Sequence, residues 1–145
     1  MKRAKEKPKK RVKKETLASI ADRHELYELA VQCAEAEVDF VDDEFESLRG
    51  RKARFLKEDF CGSAQVCSEW VARRRSNQAI GVDLDADVMA WGTDRHISSL
   101  KAGQKKRIRL VCENVLTQSS LGQDIILAMN FSYWIFKQRS VLKKY

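Results

Sequence analysis

The chain has 145 residues, of which 43% are hydrophobic and 34% are charged. This length suits one domain and excludes two well-cored ones, and the apolar fraction excludes a disordered polypeptide. No apolar run is long enough to span a bilayer, and the N-terminus lacks the central apolar run of a secretory signal, so we predict a cytoplasmic protein with no membrane partner.

The formal net charge of +7 comes from an N-terminal basic tail, "MKRAKEKPKKRVKK", at residues 1–14. This tail holds nine Lys or Arg and one Glu, which leaves nineteen basic and twenty acidic residues in the rest of the chain. Because its charges repel one another and it has little apolar surface to bury, we predict that the tail is disordered. It is either a plain solvated extension or an electrostatic arm that contacts nucleic acid through phosphates, without sequence specificity.

An N-terminal helical segment is predicted over residues 15–50. Its first helix covers "TLASIADRHELYELAVQCAEA", where apolar residues recur at helical spacing. Its second helix covers "EVDFVDDEFESLRG" and ends at Gly50, because glycine readily adopts the left-handed conformation that closes a helix. The apolar positions of the first helix are Leu17, Ile20, Leu26, Tyr27, Leu29, Ala30 and Cys33.

From residue 53 to residue 145 the pattern alternates between strands and helices. In chain order we predict the strand "ARFLKED", the helix "SAQVCSEWVARRR", the strand "QAIGVDL", the helix "DADVMAWGTDRHISSLKAG" with Gly103 after it, the strands "RIRLVCEN" and "DIILAMNF", and a helix beginning at "SYWIFKQRSVLKKY". Parallel strands need crossover connections, and these supply the layers that cover a sheet. The prediction is therefore an α/β fold with a Rossmann-like, doubly wound parallel sheet.

A ligand crevice is expected beyond the carboxyl ends of these strands, where strand order reverses. After the first strand, Gly62 allows a tight turn, and the helix that follows offers unpaired N–H groups. Asp83 ends the second strand, twenty-one residues beyond Gly62, which suits a carboxylate that accepts two ribose hydroxyls. A purely structural interpretation remains open for each position, and Asp85 fits the N-cap of the next helix.

The fourth strand end reads "NFSYW" and places Asn130 beside aromatic residues. An amide acceptor and an aromatic face suit an amine substrate next to a sulfonium, although the aromatic residues also suit plain packing. The four cysteines and two histidines show neither a zinc spacing nor a disulfide framework. We therefore predict no metal, and reduced cysteines.

These stretches together resemble a known family. "LKEDFCGSAQVCSEWV", "AIGVDLDADVMAWG", "RLVCENV" and "DIILAMNFSYWIFKQRSVL" are similar to the first four motifs of class I S-adenosylmethionine-dependent methyltransferases. They particularly resemble a bacterial group with an "EDFCGT" first motif and an "NFSYW" fourth motif. The resemblance covers residue 16 to the end. It implies S-adenosyl-L-methionine as cofactor and, because the family's sheet continues with three more strands, a C-terminally truncated chain that holds the N-terminal half of the domain.

The first motif implies a site for the methionine part of the cofactor. Glu58 matches the first-motif acid, and Phe60, Cys61 and Gly62 match the loop that passes beneath the cofactor. The general family loop is GxGxG. Here the outer glycines are replaced by Phe60 and Ala64, which narrows the conformational freedom of the loop.

The second and third motifs imply the nucleoside site. Asp83 matches the ribose-binding acid, and Leu84 flanks the adenine. Asn114 stands where the family usually has an Asp near the adenine amino group, and Val115 supplies an apolar side of that pocket.

The fourth motif implies the methyl-transfer end. Asn130 and Tyr133 have the spacing of the Asn and the aromatic residue in amino-directed methyltransferases, whereas Phe131 and Ser132 stand where two prolines are usual. The resemblance thus hints at an amino nitrogen as acceptor, with oxygen and carbon acceptors left open. The acceptor molecule and the oligomeric state stay unknown.

Two other functions compete with methyl transfer. One is a catalytically inactive remnant that binds nucleic acid or protein through its basic tail. The other is a nicotinamide enzyme, which the missing pyrophosphate-binding glycines disfavour.

Overall fold

The structure is a computed structural model, and it describes residues 15–119, 122–130 and 132–145. The basic tail at residues 1–14 and Phe131 lie outside the described residues. The helices are α1 (Leu17–Ile20), α2 (Arg23–Val31), α3 (Ala34–Arg49), α4 (Gln65–Arg73), α5 (Ala86–Gly92), α6 (Ala102–Lys105) and α7 (Arg139–Leu142). The strands are β1 (Phe55–Asp59), β2 (Gln78–Asp83), β3 (Ile108–Cys112) and β4 (Ile125–Leu127).

The four strands form one parallel sheet in the order β3-β2-β1-β4. β1 pairs with β2 from Phe55 opposite Gln78 onward, and on its other side it pairs with β4 through Leu56 opposite Ile125. The chain crosses the sheet in one direction from β1 to β3 and then returns to the far side of β1. The predicted α/β fold with a doubly wound parallel sheet is confirmed, and its switch point lies between β1 and β4.

The prediction of two N-terminal helices is wrong in number, because the first one is divided. α1 ends at Ile20, and Asp22 starts α2 by accepting hydrogen bonds from the backbone N–H groups of His24 (2.8 Å) and Glu25 (3.3 Å). An N-cap of this kind satisfies N–H groups that would otherwise have no partner, so it favours a new helix start. The second predicted helix is α3, and Gly50 follows it with φ of +66°, as predicted.

Two later elements also differ from their predictions. The helix predicted to run to residue 103 ends at Gly92 and continues as a π-helical turn, Thr93–Ile97, in which the N–H of Ser98 donates to the carbonyl of Thr93 at 2.8 Å. Gly103 lies inside the separate helix α6, not after a helix. The final stretch forms a 3₁₀ turn, Ser132–Ile135, and the one-turn helix α7 instead of one longer helix.

The core lies between the sheet and helices α3 and α4. Trp70 of α4 is fully buried, and its indole N–H donates to the carbonyl of Arg54 just before β1. Asn77 is also buried and donates to the carbonyl of Trp70 at 2.8 Å, which holds the end of α4 against the start of β2. Within the described ranges, no helix is long and apolar enough to cross a membrane.

Helix α5 packs against the loop after β1 at very close range. A Cβ atom added to Gly92 would lie 2.0 Å from the carbonyl oxygen of Ser63 and 2.4 Å from its Cα. Only a residue without a side chain fits at this contact. Gly92 therefore fixes how closely the second crossover approaches the first strand end.

Candidate functional site

A cavity of about 370 Å³ lies at the carboxyl ends of β1, β2 and β4, at the switch point of the sheet. Its volume is within the usual range for small-molecule sites. Helix α2 closes one side of it. Its lining residues are Arg23, His24, Tyr27, Glu28, Gln32, Glu58, Phe60, Cys61, Gly62, Ser63, Asp83, Asp85, Val88, Met129, Asn130 and Ser132.

The structure brings six of the ten residues from the sequence analysis into this cavity and leaves four outside it. The six are Glu58, Phe60, Cys61, Gly62, Asp83 and Asn130. Of the other four, Leu84 and Tyr133 are exposed at 66% and 44%. Asn114 is exposed, and its side-chain oxygen accepts from the N–H of Leu116. Val115 is buried beside a separate hollow that is also lined by Asp59 and Tyr145.

The loop after β1 has an unusual backbone. Phe60, Gly62 and Ala64 all have positive φ, at +62°, +50° and +57°. The family resemblance places the three glycines of the GxGxG loop at these positions, and Phe60 and Ala64 have a left-handed backbone although they carry side chains. The left-handed conformation costs a residue with a side chain about 1–2 kcal/mol. Strain of this kind is often found at ligand sites.

Asp83 ties this loop to the end of β2. Its Oδ2 accepts from the N–H of Gly62 at 2.8 Å, and its Oδ1 accepts from the N–H of Asp85 at 2.9 Å. A carboxylate oxygen has two lone pairs, so each oxygen retains the capacity to accept one further hydrogen bond. The side chain thus positions the loop and can still receive two hydroxyl groups from the cavity.

Glu58 lies at the floor of the cavity and is 4% exposed. Its Oε2 accepts from the backbone N–H of Cys67 at 3.3 Å and from the Cys67 thiol at 3.1 Å. Burial raises the pKa of Glu58 from 4.5 to about 8, although the two bonds from Cys67 oppose the shift. At neutral pH the side chain is therefore mostly protonated and neutral.

This raised pKa makes stability depend on pH. The unfolded chain releases the Glu58 proton near pH 4.5, whereas the folded chain keeps it up to about pH 8. The Glu58 contribution to the free energy of unfolding is thus complete below pH 4.5 and is lost as pH rises toward 8. We expect Glu58→Gln to match the parent at pH 4.5 and to exceed its stability by about 4 kcal/mol at pH 8, measured by urea unfolding.

The matched control is Glu44→Gln, which changes an exposed carboxyl of α3. It should follow the pH profile of the parent. Parallel stability profiles for the parent and Glu58→Gln would contradict the raised pKa.

The two cysteines of the site do not act as nucleophiles. Cys61 and Cys67 are 1% and 0% exposed, and burial raises the pKa of both thiols above the usual range. A thiol needs its thiolate form to attack or to bind metal. Among the described residues, no group of His, Cys, Asp and Glu side chains could hold a metal ion.

The contribution of α2 to the site was missed by sequence reasoning. Glu28 is buried, and its Oε1 accepts from the hydroxyl of Ser63 at 2.5 Å and lies 2.6 Å from Nε2 of His96. The indole N–H of Trp91 also donates to Asp22 at 2.7 Å. These bonds join α2 to the first-strand loop and to the turn after α5.

The leucines predicted to form the buried apolar face of α2 are exposed instead. Leu26 and Leu29 are exposed at 55% and 80%, and the helix docks through polar side chains instead. Apolar spacing predicts a helix but does not reveal which polar residues will find partners. No local signal identifies Glu28, because its partners Ser63 and His96 are 35 and 68 residues away.

An aromatic cluster of Phe60, Phe136 and Tyr145 adjoins the cavity. The ring of Phe60 lies 5.9 Å from Phe136 and 6.0 Å from Tyr145, measured between ring centroids. The hydroxyl of Tyr145 donates to Asp59 at 3.0 Å, and Lys57 lies 2.7 Å from the same carboxylate. Phe60 therefore packs against Phe136 and Tyr145 of the C-terminal segment and also lines the cavity.

Comparisons with known proteins give structural matches only. No family model matches the sequence, and no curated protein matches it either. The solved structures that match include three methyltransferases with identities of 12–17%. An amino pentose methyltransferase from Micromonospora echinaspora, with S-adenosylmethionine bound, has a TM-score of 0.63 and 14% identity over 83% of this chain and 46% of its own.

Two further matches are of the same kind. A sugar N-methyltransferase from Streptoalloteichus has a TM-score of 0.62 and 17% identity over 97% of this chain and 52% of its own. The plantazolicin methyltransferase, in complex with a monoazolic desmethylPZN analogue and S-adenosylhomocysteine, has a TM-score of 0.59 and 12% identity over 77% of this chain and 40% of its own. At these identities the likeness shows the fold, and the predicted Rossmann-like fold is confirmed. The chain spans about half or less of the lengths of these three proteins.

Proposed function

We propose that this chain is the S-adenosyl-L-methionine-binding part of a class I methyltransferase. The proposal rests on the hydrogen bond that the backbone N–H of Gly62, in the left-handed loop, donates to Asp83. Both residues line the cavity at the switch point. The fold that the chain shares with solved methyltransferases supports the same proposal. Since the chain spans about half or less of those proteins, the activity of the whole protein is part of the proposal.

The residues of the cavity fit the groups of this cofactor. The two acceptor positions left on Asp83 suit the two hydroxyls of a ribose. Glu58 suits the ammonium of the methionine part, because a cation beside a buried carboxyl favours its ionised form. Leu84, Asn114 and Val115 lie outside the cavity, so their assignment to the adenine stays a prediction.

The cofactor would supply a methyl group activated by a sulfonium. The work left to the protein is to align the acceptor with that methyl group and to exclude water. Asn130 lines the cavity with φ of +56° and presents an amide to it, whereas Tyr133 is at the surface nearby. The buried, neutral thiols of Cys61 and Cys67 have no part in acid–base chemistry. An amino nitrogen that loses its proton readily is the acceptor that this arrangement favours.

Calorimetric titration with S-adenosylhomocysteine tests the proposal directly. We expect binding at one site, with an affinity that rises with pH between about 6 and 8, because bound ammonium requires the ionised form of Glu58. In Glu58→Gln this pH dependence should vanish. NADH is the control ligand, and we expect it not to bind because the loop lacks the glycines that a pyrophosphate needs. Binding of NADH without binding of S-adenosylhomocysteine would overturn the proposal.

A further inference from the structure

A second feature lies at the opposite end of the sheet from the cavity. Exposed cations gather near the amino ends of β2 and β3, and we define them as the basic rim: Arg75, Lys101, Lys106 and Arg109. Two hollows hold these residues. One of about 640 Å³ is lined by Ala72, Arg73, Arg74, Arg75, Lys101, Gly103, Gln104 and Arg107. One of about 190 Å³ is lined by Phe55, Leu56, Gln78, Ala79, Ile80, Lys106, Arg107, Ile108, Arg109 and Gln123.

The two hollows adjoin, because Arg107 lines both of them. Its guanidinium donates to the carbonyls of Val71 and Arg74 at 2.9 Å each, and also to the carbonyl of Asn77. Four bonds to carbonyls, including one to Gly103, fix this side chain at the end of α4. No carboxylate neutralises it within the described residues, so its positive charge stays at the centre of the surface.

Neighbouring arginines are neutralised by acidic side chains and are not counted in the basic rim. Arg74 makes a bidentate ion pair with Asp42, with N–O distances of 2.5 and 2.6 Å. Arg73 is paired with Asp39 and with Glu69. The bonds to Asp39 and Asp42 hold the end of α4 to α3, whereas the bond to Glu69 lies within α4.

The cations of the basic rim differ from these arginines. In the part of the chain that the structure describes, the side chains of Arg75, Lys106 and Arg109 make no hydrogen bond or ion pair, and all three are exposed. No acidic residue is among the described residues that line either hollow. The surface thus carries unneutralised positive charge over two adjoining concavities.

We propose that the basic rim binds the phosphate backbone of a nucleic-acid strand. Spaced Lys and Arg side chains, with amides beside them, are the groups that contact phosphates in nucleic-acid complexes. Gln78, Gln104 and Gln123 line the same hollows and supply such amides. A strand of phosphates can follow two adjoining hollows, whereas a membrane surface is broad and would need protruding contacts.

This binding surface does not depend on the proposed function. The cavity lies at the carboxyl ends of the strands, and the basic rim lies at their amino ends. Loss of one site should leave the other intact. Failure of nucleic-acid binding and failure of cofactor binding are therefore separate results.

Fluorescence anisotropy with a labelled single-stranded RNA tests the proposal. The variant replaces Arg75, Lys106 and Arg109 by glutamine in the full chain, including the basic tail. Loss of three phosphate contacts should lower the magnitude of the slope of log affinity against log salt by about 2 and weaken binding about 100-fold near ~100 mM salt. The circular dichroism spectrum and the midpoint of thermal unfolding of the same variant should match those of the parent, which shows that the fold is kept.

The matched control replaces by glutamine three exposed cations of the C-terminal segment, Lys137, Arg139 and Lys143. It has the same net charge as the variant, and it should bind RNA almost as tightly as the parent. Equal weakening by both variants, or unchanged binding by the basic-rim variant, would overturn the proposal. Deletion of residues 2–14 distinguishes RNA binding by the basic tail from RNA binding by the basic rim. If that deletion abolishes all binding, the tail accounts for the affinity and the basic rim does not bind RNA.

Competition decides between nucleic acid and other anions. A polyglutamate of matched charge should compete poorly with the RNA, because carboxylates on a flexible chain do not reproduce the spacing of phosphates. Equal competition by polyglutamate, or by vesicles that contain phosphatidylserine, would show a general anion surface and refute the assignment to nucleic acid.

Discussion

Asp83→Asn is expected to weaken the binding of S-adenosylhomocysteine by at least about 100-fold, because two charge-assisted hydrogen bonds to ribose hydroxyls are lost and each contributes about 1.5–3 kcal/mol. The amide also supplies N–H donors where the carboxylate now accepts from Gly62 and Asp85. One of these backbone donors would then face another donor. The substitution thus disturbs both the ligand contact and the loop, and calorimetric titration measures the first effect.

The matched control for this change is Asp87→Asn, on the exposed first turn of α5. It removes one negative charge from an exposed side chain that is not among the residues lining the cavity, and the affinity should stay within about twofold of the parent. Thermal unfolding of Asp83→Asn, followed by circular dichroism, separates a loosened loop from a lost contact. A folded Asp83→Asn protein that binds the ligand as tightly as the parent would exclude Asp83 as the ribose acceptor.

Gly92→Ala is expected to destabilise the protein by about 3 kcal/mol, the upper end of the usual cost of overpacking, because the new methyl group cannot be accommodated. Its Cβ would meet the backbone of Ser63 at 2.0 Å, and a backbone cannot turn away as a side chain can. The loop that carries Gly62 would have to move. We therefore expect a lower midpoint in urea and a weaker affinity for S-adenosylhomocysteine in the same variant.

Gly103→Ala is the matched control, because Gly103 also lies in a helix but has no atom within 4 Å of an added Cβ. In an open helical position alanine is favoured over glycine by about 1 kcal/mol. The two substitutions should therefore change stability in opposite directions. Equal effects at both positions would mean that the close contact of α5 with the first-strand loop does not determine the cost.

The parallel sheet could be predicted because its signals are local. Short apolar runs mark the strands, the helical stretches between them mark crossovers, and a carboxylate at a strand end marks the crevice. This logic placed Gly62 and Asp83 on the same edge, and the structure joins them by a hydrogen bond of 2.8 Å. The division of the first helix at Asp22 is also a local signal, and the capping residue was overlooked within an apolar pattern.

The rest of the site depends on contacts that no local pattern encodes. Glu28 reaches Ser63 and His96 only after the chain has folded, so its burial follows from tertiary structure. A position at the end of a strand also does not determine how far its side chain lies from the cavity. Asn114 follows β3, one of the two edge strands, and its side chain accepts a hydrogen bond from the nearby backbone N–H of Leu116.

The left-handed loop at Phe60, Gly62 and Ala64 bears on how such proteins can be detected. A search that scores amino-acid letters gives weight to three glycines, and this chain has one of them. All three positions nevertheless have positive φ in this chain, the backbone conformation that glycine adopts most easily. A loop can thus follow a left-handed path although two of its three left-handed residues carry side chains. Relatives of this chain are better sought by backbone conformation than by the amino-acid sequence of the motif.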